Sequence, residues 1–275
     1  MLYKIKFALI LLLLFTLYSC NENKTSSKAS VSPSTSSTPV INYTVTNYFP
    51  HDTALFTEGF LIHDGQLFES TGSPEDLPLT KSVVGITDIA TGKFTKKIEL
   101  DRTKYFGEGI VILNNKLYQL TYKNQQGFIY DAKTFKKTGA FKFKNKEGWS
   151  LTTDGKNLIM SDGTDTLTLL DPADLKTVGI LKVTENDVPR DSLNELEFIR
   201  GFIYANTWQN NSIIKIDPAT GKVVGKLNMG SLVYESKNKN PRADVLNGIA
   251  YDSATDKIYV TGKLWANIYQ IDFLH

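Results

Sequence analysis

Five positions in this 275-residue chain place a Glu or an Asn directly ahead of a turn-type residue and an apolar run: Glu58, Glu108, Glu147, Asn194 and Asn247. The phrases read FTEGFLIHDGQLFEST from Phe56, FGEGIVILNNKLYQLT from Phe106, KEGWSLTTDGKNLIMSD from Lys146, LNELEFIRGFIYANT from Leu193 and LNGIAYDSATDKIYVTG from Leu246. If these positions converge, crowding raises the pKa of at least one carboxyl group, which suits a general acid or base working near neutral pH. The competing use is structural, with the same side chains hydrogen-bonding neighbouring loop amides and holding the repeats in register. Two tryptophans accompany the set. Trp149 lies two residues beyond Glu147, on the same side of a strand, and Trp208 follows the inner hairpin of the fourth unit. Aromatic walls around a few polar groups are the usual make-up of a small-molecule pocket, although either ring could equally serve packing.

Other chemistries lack their residues. The histidines are His51, His63 and His275, with no ligand spacing among them, and Cys20 is the sole cysteine, whereas zinc needs three or four such ligands held tetrahedrally. No metal site and no cofactor is expected. There is no Gly-rich phosphate loop and no Gly-x-Ser-x-Gly nucleophile turn.

The elements that must position these residues follow from the period. Taking Gly59, Gly109, Gly148, Glu195 and Gly248 as markers gives spacings of 50, 39, 47 and 53 residues, the range of a solenoid or a propeller. Each unit reads as paired strands rather than helix pairs. The turns His63-Asp64-Gly65, Leu113-Asn114-Asn115 and Thr153-Asp154-Gly155 supply the positive φ angles of tight hairpins. A second hairpin follows in most units, and the last unit lacks its outer strand. An orphan strand pattern at Val40–Phe49 precedes the first motif, so the predicted fold is all-β, a five-bladed β-propeller with ring closure by an N-terminal strand.

The N-terminus is of another kind. Residues 1–19 combine Lys4 and Lys6 with the apolar run Phe7–Phe15, the pattern of a secretory signal too short to span a bilayer. The ending Leu17-Tyr18-Ser19-Cys20 resembles a bacterial lipobox, which predicts lipidation at Cys20 and a place in the cell envelope, membrane-anchored and facing periplasm or exterior. Residues 20–39 are Ser/Thr/Pro-rich and read as a flexible tether, leaving 40–275 as the propeller domain. Without residues 1–19 the chain carries 29 basic and 29 acidic residues. That balance gives no electrostatic case for nucleic acid as a partner, and a monomer is expected.

At Phe56-Thr57-Glu58-Gly59, Phe106-Gly107-Glu108-Gly109, Glu147-Gly148-Trp149, Leu193-Asn194-Glu195-Leu196-Glu197, Asn206-Thr207-Trp208-Gln209 and Val245-Leu246-Asn247-Gly248-Ile249-Ala250, running into Thr261-Gly262-Lys263-Leu264-Trp265, the chain resembles the plant-type glutaminyl cyclase family. In this order the matches cover nearly all of residues 45–273. The resemblance implies a five-bladed propeller with its active site at one end of the channel, and conversion of the N-terminal glutamine of peptides or proteins to pyroglutamate with loss of ammonia, without a metal. It implies Glu108 as the acid/base residue, with Asn194 and Lys263 holding the amide oxygen as charge develops on it. Glu58, Trp149, Trp208 and Asn247 are then expected to contact substrate. Glu58 departs from the family, which commonly has Gln there. Two readings compete with the enzyme: a tethered propeller that binds a peptide partner without chemistry, and another propeller hydrolase such as a calcium-dependent lactonase.

Overall fold

Five four-stranded antiparallel sheets stand around a central channel in the computed structural model, which describes residues 37–275. The predicted signal, Cys20 and nearly all of the tether lie outside the described residues. An opening strand, β1 (Thr44–Pro50), precedes the first blade: β2 (Thr57–His63), β3 (Gln66–Thr71), β4 (Val83–Thr87) and β5 (Phe94–Glu99). The second blade is β6 (Gly107–Leu113), β7 (Lys116–Thr121), β8 (Gln126–Asp131) and β9 (Lys137–Lys142). The third is β10 (Ser150–Thr153), β11 (Leu158–Ser161), β12 (Thr166–Leu170) and β13 (Thr177–Lys182). A small hairpin, β14 (Thr184–Glu185) and β15 (Val188–Pro189), leads to the fourth: β16 (Leu193–Ile199), β17 (Phe202–Thr207), β18 (Ser212–Ile216) and β19 (Val223–Asn228). After α1 (Gly230–Lys239), the fifth blade is β20 (Leu246–Asp252), β21 (Lys257–Gly262) and β22 (Asn267–Asp272), with β1 as its outer strand.

Closure by the N-terminal strand is therefore as expected, but the strand is shorter than Val40–Phe49. Residues 44–50 pair with β22 from Thr44↔Asp272 to Pro50↔Asn267. Val40 instead bridges to Lys226 on the outer strand of the fourth blade, where Ile41 N–H donates to the Lys226 carbonyl at 2.9 Å. Consequently the N-terminal segment touches two blades rather than one.

The hairpin chemistry sets these strands. Asp64 (φ 49°), Asn114 (φ 53°) and Asn115 (φ 59°) take the left-handed conformations that two-residue hairpins demand. Each inner strand is covered on both faces, so it reads as a nearly unbroken apolar run, and successive side chains serve opposite seams. Leu61 joins Phe68, Ile110 and Phe128 between the first and second blades, while its neighbour Phe60 joins Leu67, Ala250, Tyr259 and Ile268 between the fifth and the first. The helix α1 was not legible in the sequence. Its residues carry no clear apolar period, and it forms because Leu232 and Val233 complete the apolar cluster between the fourth and fifth blades, around the fully buried Trp265. Among the described residues no helix is long and apolar enough to cross a membrane.

Candidate active site

The channel mouth is built from three sets of equivalent positions, one from each strand entry, strand interior and strand exit. The interior set contains Glu58, Glu108, Asn194 and Asn247, as the repeat predicts, but its third-blade member is Trp149 rather than Glu147. Contact across the channel shows why. A Cβ on Gly59 would lie 2.9 Å from the Gly109 Cα, and one on Gly109 would lie 2.4 Å from the Ser150 Cα, so Gly59, Gly109 and Ser150 are successive ring positions. The third marker is therefore Ser150, two residues beyond Gly148, and Trp149 occupies the slot of Glu58 and Glu108. Glu147 falls in the entry set with Phe56 and Phe106.

The exit set lies where the second strand of each blade leaves the channel. Gly72 N–H donates to the Phe56 carbonyl (2.8 Å), Tyr122 to Phe106 (3.1 Å), Trp208 to Ser192 (2.8 Å) and Lys263 to Val245 (3.0 Å). The same local geometry thus delivers an aromatic ring, a second aromatic ring and an ammonium to one mouth, and at Gly72 delivers nothing. Trp149 needs similar room: a Cβ on Gly163, itself at φ +80°, would lie 2.5 Å from its ring. The three sets, with Pro74, enclose a pocket of about 360 Å³ lined by Phe56, Glu58, Phe106, Glu108, Tyr122, Glu147, Trp149, Asn194, Trp208 and Lys263.

Charge in this pocket is unevenly compensated. Lys263 Nζ donates to Glu58 Oε1 at 2.7 Å, with both side chains almost fully buried, and lies 4.6 Å from the centre of the Phe56 ring. Burial pushes the Glu58 carboxyl up to about 7 even though Lys263 pulls it down. Glu108 has no cation of its own. Burial, then the charge of Glu58, and to a smaller extent that of Glu147, hold its carboxyl well above the ordinary range against the pull of Lys263. Tyr122 is pushed up to about 12 by burial and by Glu147 and Glu108, so its hydroxyl stays protonated.

The aromatic wall is fixed by polar contacts. Trp149 Nε1–H donates to Glu147 Oε2 at 2.9 Å, and its ring meets that of Trp208 edge to face, with centres 5.7 Å apart. Trp208 is 44% exposed, which places it at the rim. Asn194 is buried with its Oδ1 lacking any partner, an acceptor that awaits a donor from within the pocket.

The structure brings Glu58, Glu108, Trp149, Asn194, Trp208 and Lys263 together. Asn247 is the exception: it does not line the pocket, and its Nδ2 donates to Glu58 Oε2 (3.2 Å) and to the Thr57 carbonyl (3.0 Å) from behind. Its route to a substrate runs through Glu58. Tyr122 escaped the sequence reading, although it follows Thr121 as Trp208 follows Thr207, and that shared exit was the available signal. Deeper in the channel Glu195 accepts from Phe60 N–H (3.2 Å) and Ile249 N–H (2.8 Å), so it ties the fourth blade to the first and the fifth. This is the structural use proposed for the ring, played by a marker residue instead. Among the described residues no group of three or more His, Cys, Asp or Glu is arranged to hold a metal ion.

What the fold and this pocket define is a five-bladed propeller with an aromatic, carboxyl-lined pocket at one end of its channel. Comparison with known proteins narrows the class: the sequence profile of the glutamine cyclotransferase family matches residues 11–273, and the chain belongs to that family. A glutaminyl-peptide cyclotransferase of Arabidopsis thaliana is 42% identical over 229 residues, which covers 81% of this chain and 68% of the plant protein. The crystal structure of Myxococcus xanthus glutaminyl cyclase superposes with a TM-score of 0.77 at 31% identity, over 86% of this chain and all of the other.

Proposed function

We propose that this channel mouth converts the N-terminal glutamine of a peptide or protein to pyroglutamate, with Glu108 as the proton relay. The α-amine nitrogen bonds to the side-chain carboxamide carbon, the C–N bond to the amide nitrogen breaks, and ammonia leaves. Overall, one proton passes from the attacking nitrogen to the departing one. A single carboxyl group near both can accept it and return it, ending in its starting state. The observation that carries this reading is Glu108, a buried carboxyl without a dedicated cation, held above its ordinary range in a pocket that opens to solvent.

The remaining groups have separable roles. The unpartnered Asn194 Oδ1 takes an N–H of the substrate, which satisfies a buried acceptor that lines the pocket. Its Nδ2 can at the same time donate to the amide oxygen, the role the family resemblance implies for Asn194. Lys263 keeps protons free beside its bond to Glu58 and stabilises the oxygen as negative charge develops there. Trp149, Trp208 and Phe106 fold the glutamine side chain back toward its own amine, so that attack starts from a near-productive conformation.

The test is incubation of the protein with a Gln-initiated peptide, following ammonia release and a mass loss of about 17 Da, the mass of the ammonia expelled in the acyl transfer. Turnover should persist in chelator, because every role above is filled by a side chain; chelator-sensitive hydrolysis of a lactone without ammonia release from the peptide would favour the calcium-dependent lactonase reading. No turnover above the spontaneous rate would leave a binding propeller. The cell-envelope location and the lipid anchor at Cys20 belong to the same proposal, resting on the lipobox resemblance, and a monomeric state is proposed with them. Metabolic labelling with palmitate is expected to mark the protein and to fail in Cys20→Ala.

A further inference from the structure

The seam where the ring closes contains a buried pair of opposite charges that the reaction does not consume. His51 lies directly after β1, in the segment that crosses from the fifth blade to the first. Its Nδ1 is 2.9 Å from the Trp265 carbonyl oxygen, and its Nε2 is 3.0 Å and 3.2 Å from the two oxygens of Glu69 on β3. Both side chains are wholly buried. A carbonyl and a carboxylate only accept, so both ring nitrogens must donate and the ring is an imidazolium. Burial opposes that charge, but Glu69 and the carbonyl outweigh it and the His51 pKa is raised.

The Glu69 carboxylate also accepts from Thr57 Oγ1 (2.7 Å) and Thr87 Oγ1 (2.9 Å), one on each oxygen. Two of these partners lead to the active site. Thr57 precedes Glu58 on β2, and Trp265 follows Lys263 by two residues. The crossing segment is stitched to the same turn, with His51 N–H on the Ala266 carbonyl (3.0 Å) and Leu264 N–H on the Leu55 carbonyl (2.9 Å). The pocket pair Glu58–Lys263, itself almost fully buried, therefore spans a seam whose two sides are gripped by His51 and Glu69.

We infer that His51 and Glu69 are positioning residues, which fix Glu58 and Lys263 relative to each other across the closure seam. The inference rests on the reading of the channel mouth as the cyclisation site. A purely structural clasp is the rival, since this seam has the smallest apolar cluster of the five: Phe60, Leu67, Ala250, Tyr259 and Ile268. The two threonines separate them. Thr57 ties Glu69 to the strand that carries Glu58, whereas Thr87 ties the same carboxylate to β4, away from the pocket.

Thr57→Val and Thr87→Val each remove one hydroxyl at constant shape and lower Tm by a similar few degrees. With a Gln-initiated peptide, Thr57→Val is expected to reduce kcat about tenfold with KM within about twofold, because reacting groups misplaced by fractions of an ångström lose rate rather than affinity. Thr87→Val leaves kcat within about twofold, and Thr57→Ser restores the parent rate. A readout independent of turnover is the NMR signal of the Lys263 ammonium, which should move in Thr57→Val and stay in Thr87→Val. Equal behaviour of the two valine variants in kcat and in that signal would overturn the inference and leave a clasp. If the parent protein makes no ammonia, the cyclase reading fails, and the Lys263 signal still decides the positioning role. Should Thr57→Val not fold, His51→Gln, which keeps one donor in place, is expected to reproduce its kinetic and spectral effects.

Discussion

Glu108→Gln is expected to reduce kcat for ammonia release by about a thousandfold or more, equivalent to about 4 kcal/mol of lost transition-state stabilisation. The substitution keeps the size of the side chain and its place on β6, so the fold and the far-UV spectrum should be unchanged and KM should move little. What disappears is the ability to take a proton from one nitrogen and give it to another. An amide does neither near neutral pH. The pH dependence provides a second check. Substrate amine and Glu108 together carry one proton in the reactive complex, whether written as carboxyl and amine or as carboxylate and ammonium. Adding a second proton or removing the first stops the reaction, so the parent profile is bell-shaped with limbs that belong to the pair. In the variant only the substrate amine titrates, so the bell collapses to a single limb. Activity within about tenfold of the parent would remove Glu108 from the relay.

The fold was legible because its signals are local and repeated. Asp64-Gly65 and Asn114-Asn115 fix hairpins by their own backbone preferences, and the missing outer strand of the last unit pointed to the orphan strand at the other end. The third unit was misaligned for a physical reason. Its Gly148 imitates the marker glycines, but close approach across the channel is needed at Ser150, which only tertiary contact reveals. Helix α1 escaped because packing of Leu232 and Val233, not an amphipathic pattern, sustains it. The site was readable where a Glu or an Asn recurs at one place, as for Glu58, Glu108 and Asn194. It was unreadable at Tyr122, because equivalent positions there hold unlike residues: Gly72, Tyr122, Trp208 and Lys263 share a strand exit and nothing else. The His51–Glu69 pair joins residues that no spacing connects, since it exists only once the ring has closed.

Lys263→Met is expected to lower kcat by about a hundredfold to a thousandfold, the usual cost of losing a donor aimed at a developing oxyanion. Its effect on stability depends on Glu58, which it strips of a counterion 2.7 Å away. A buried, unpaired carboxylate would cost about 3–5 kcal/mol, but Glu58 already sits at about 7 with Lys263 in place and rises further without it, so it keeps its proton instead. A carboxyl raised above its unfolded value contributes stability that is complete below the unfolded pKa and is lost as pH climbs toward the folded one. Tm of Lys263→Met should therefore keep falling with pH above about 7, where the parent levels off because its Glu58 has already ionised. Adding Glu58→Gln removes the titrating group and should flatten that dependence. Alone, Glu58→Gln acts in the opposite sense on the chemistry. It deletes the negative charge that helps hold Glu108 up and leaves the pull of Lys263 unmasked, so both limbs of the bell should move to lower pH. The double variant should be no slower than Lys263→Met by itself, because once the ammonium is gone Glu58 has nothing left to restrain. An additive loss would mean that Glu58 binds the substrate amine directly, as its departure from the family's glutamine allows.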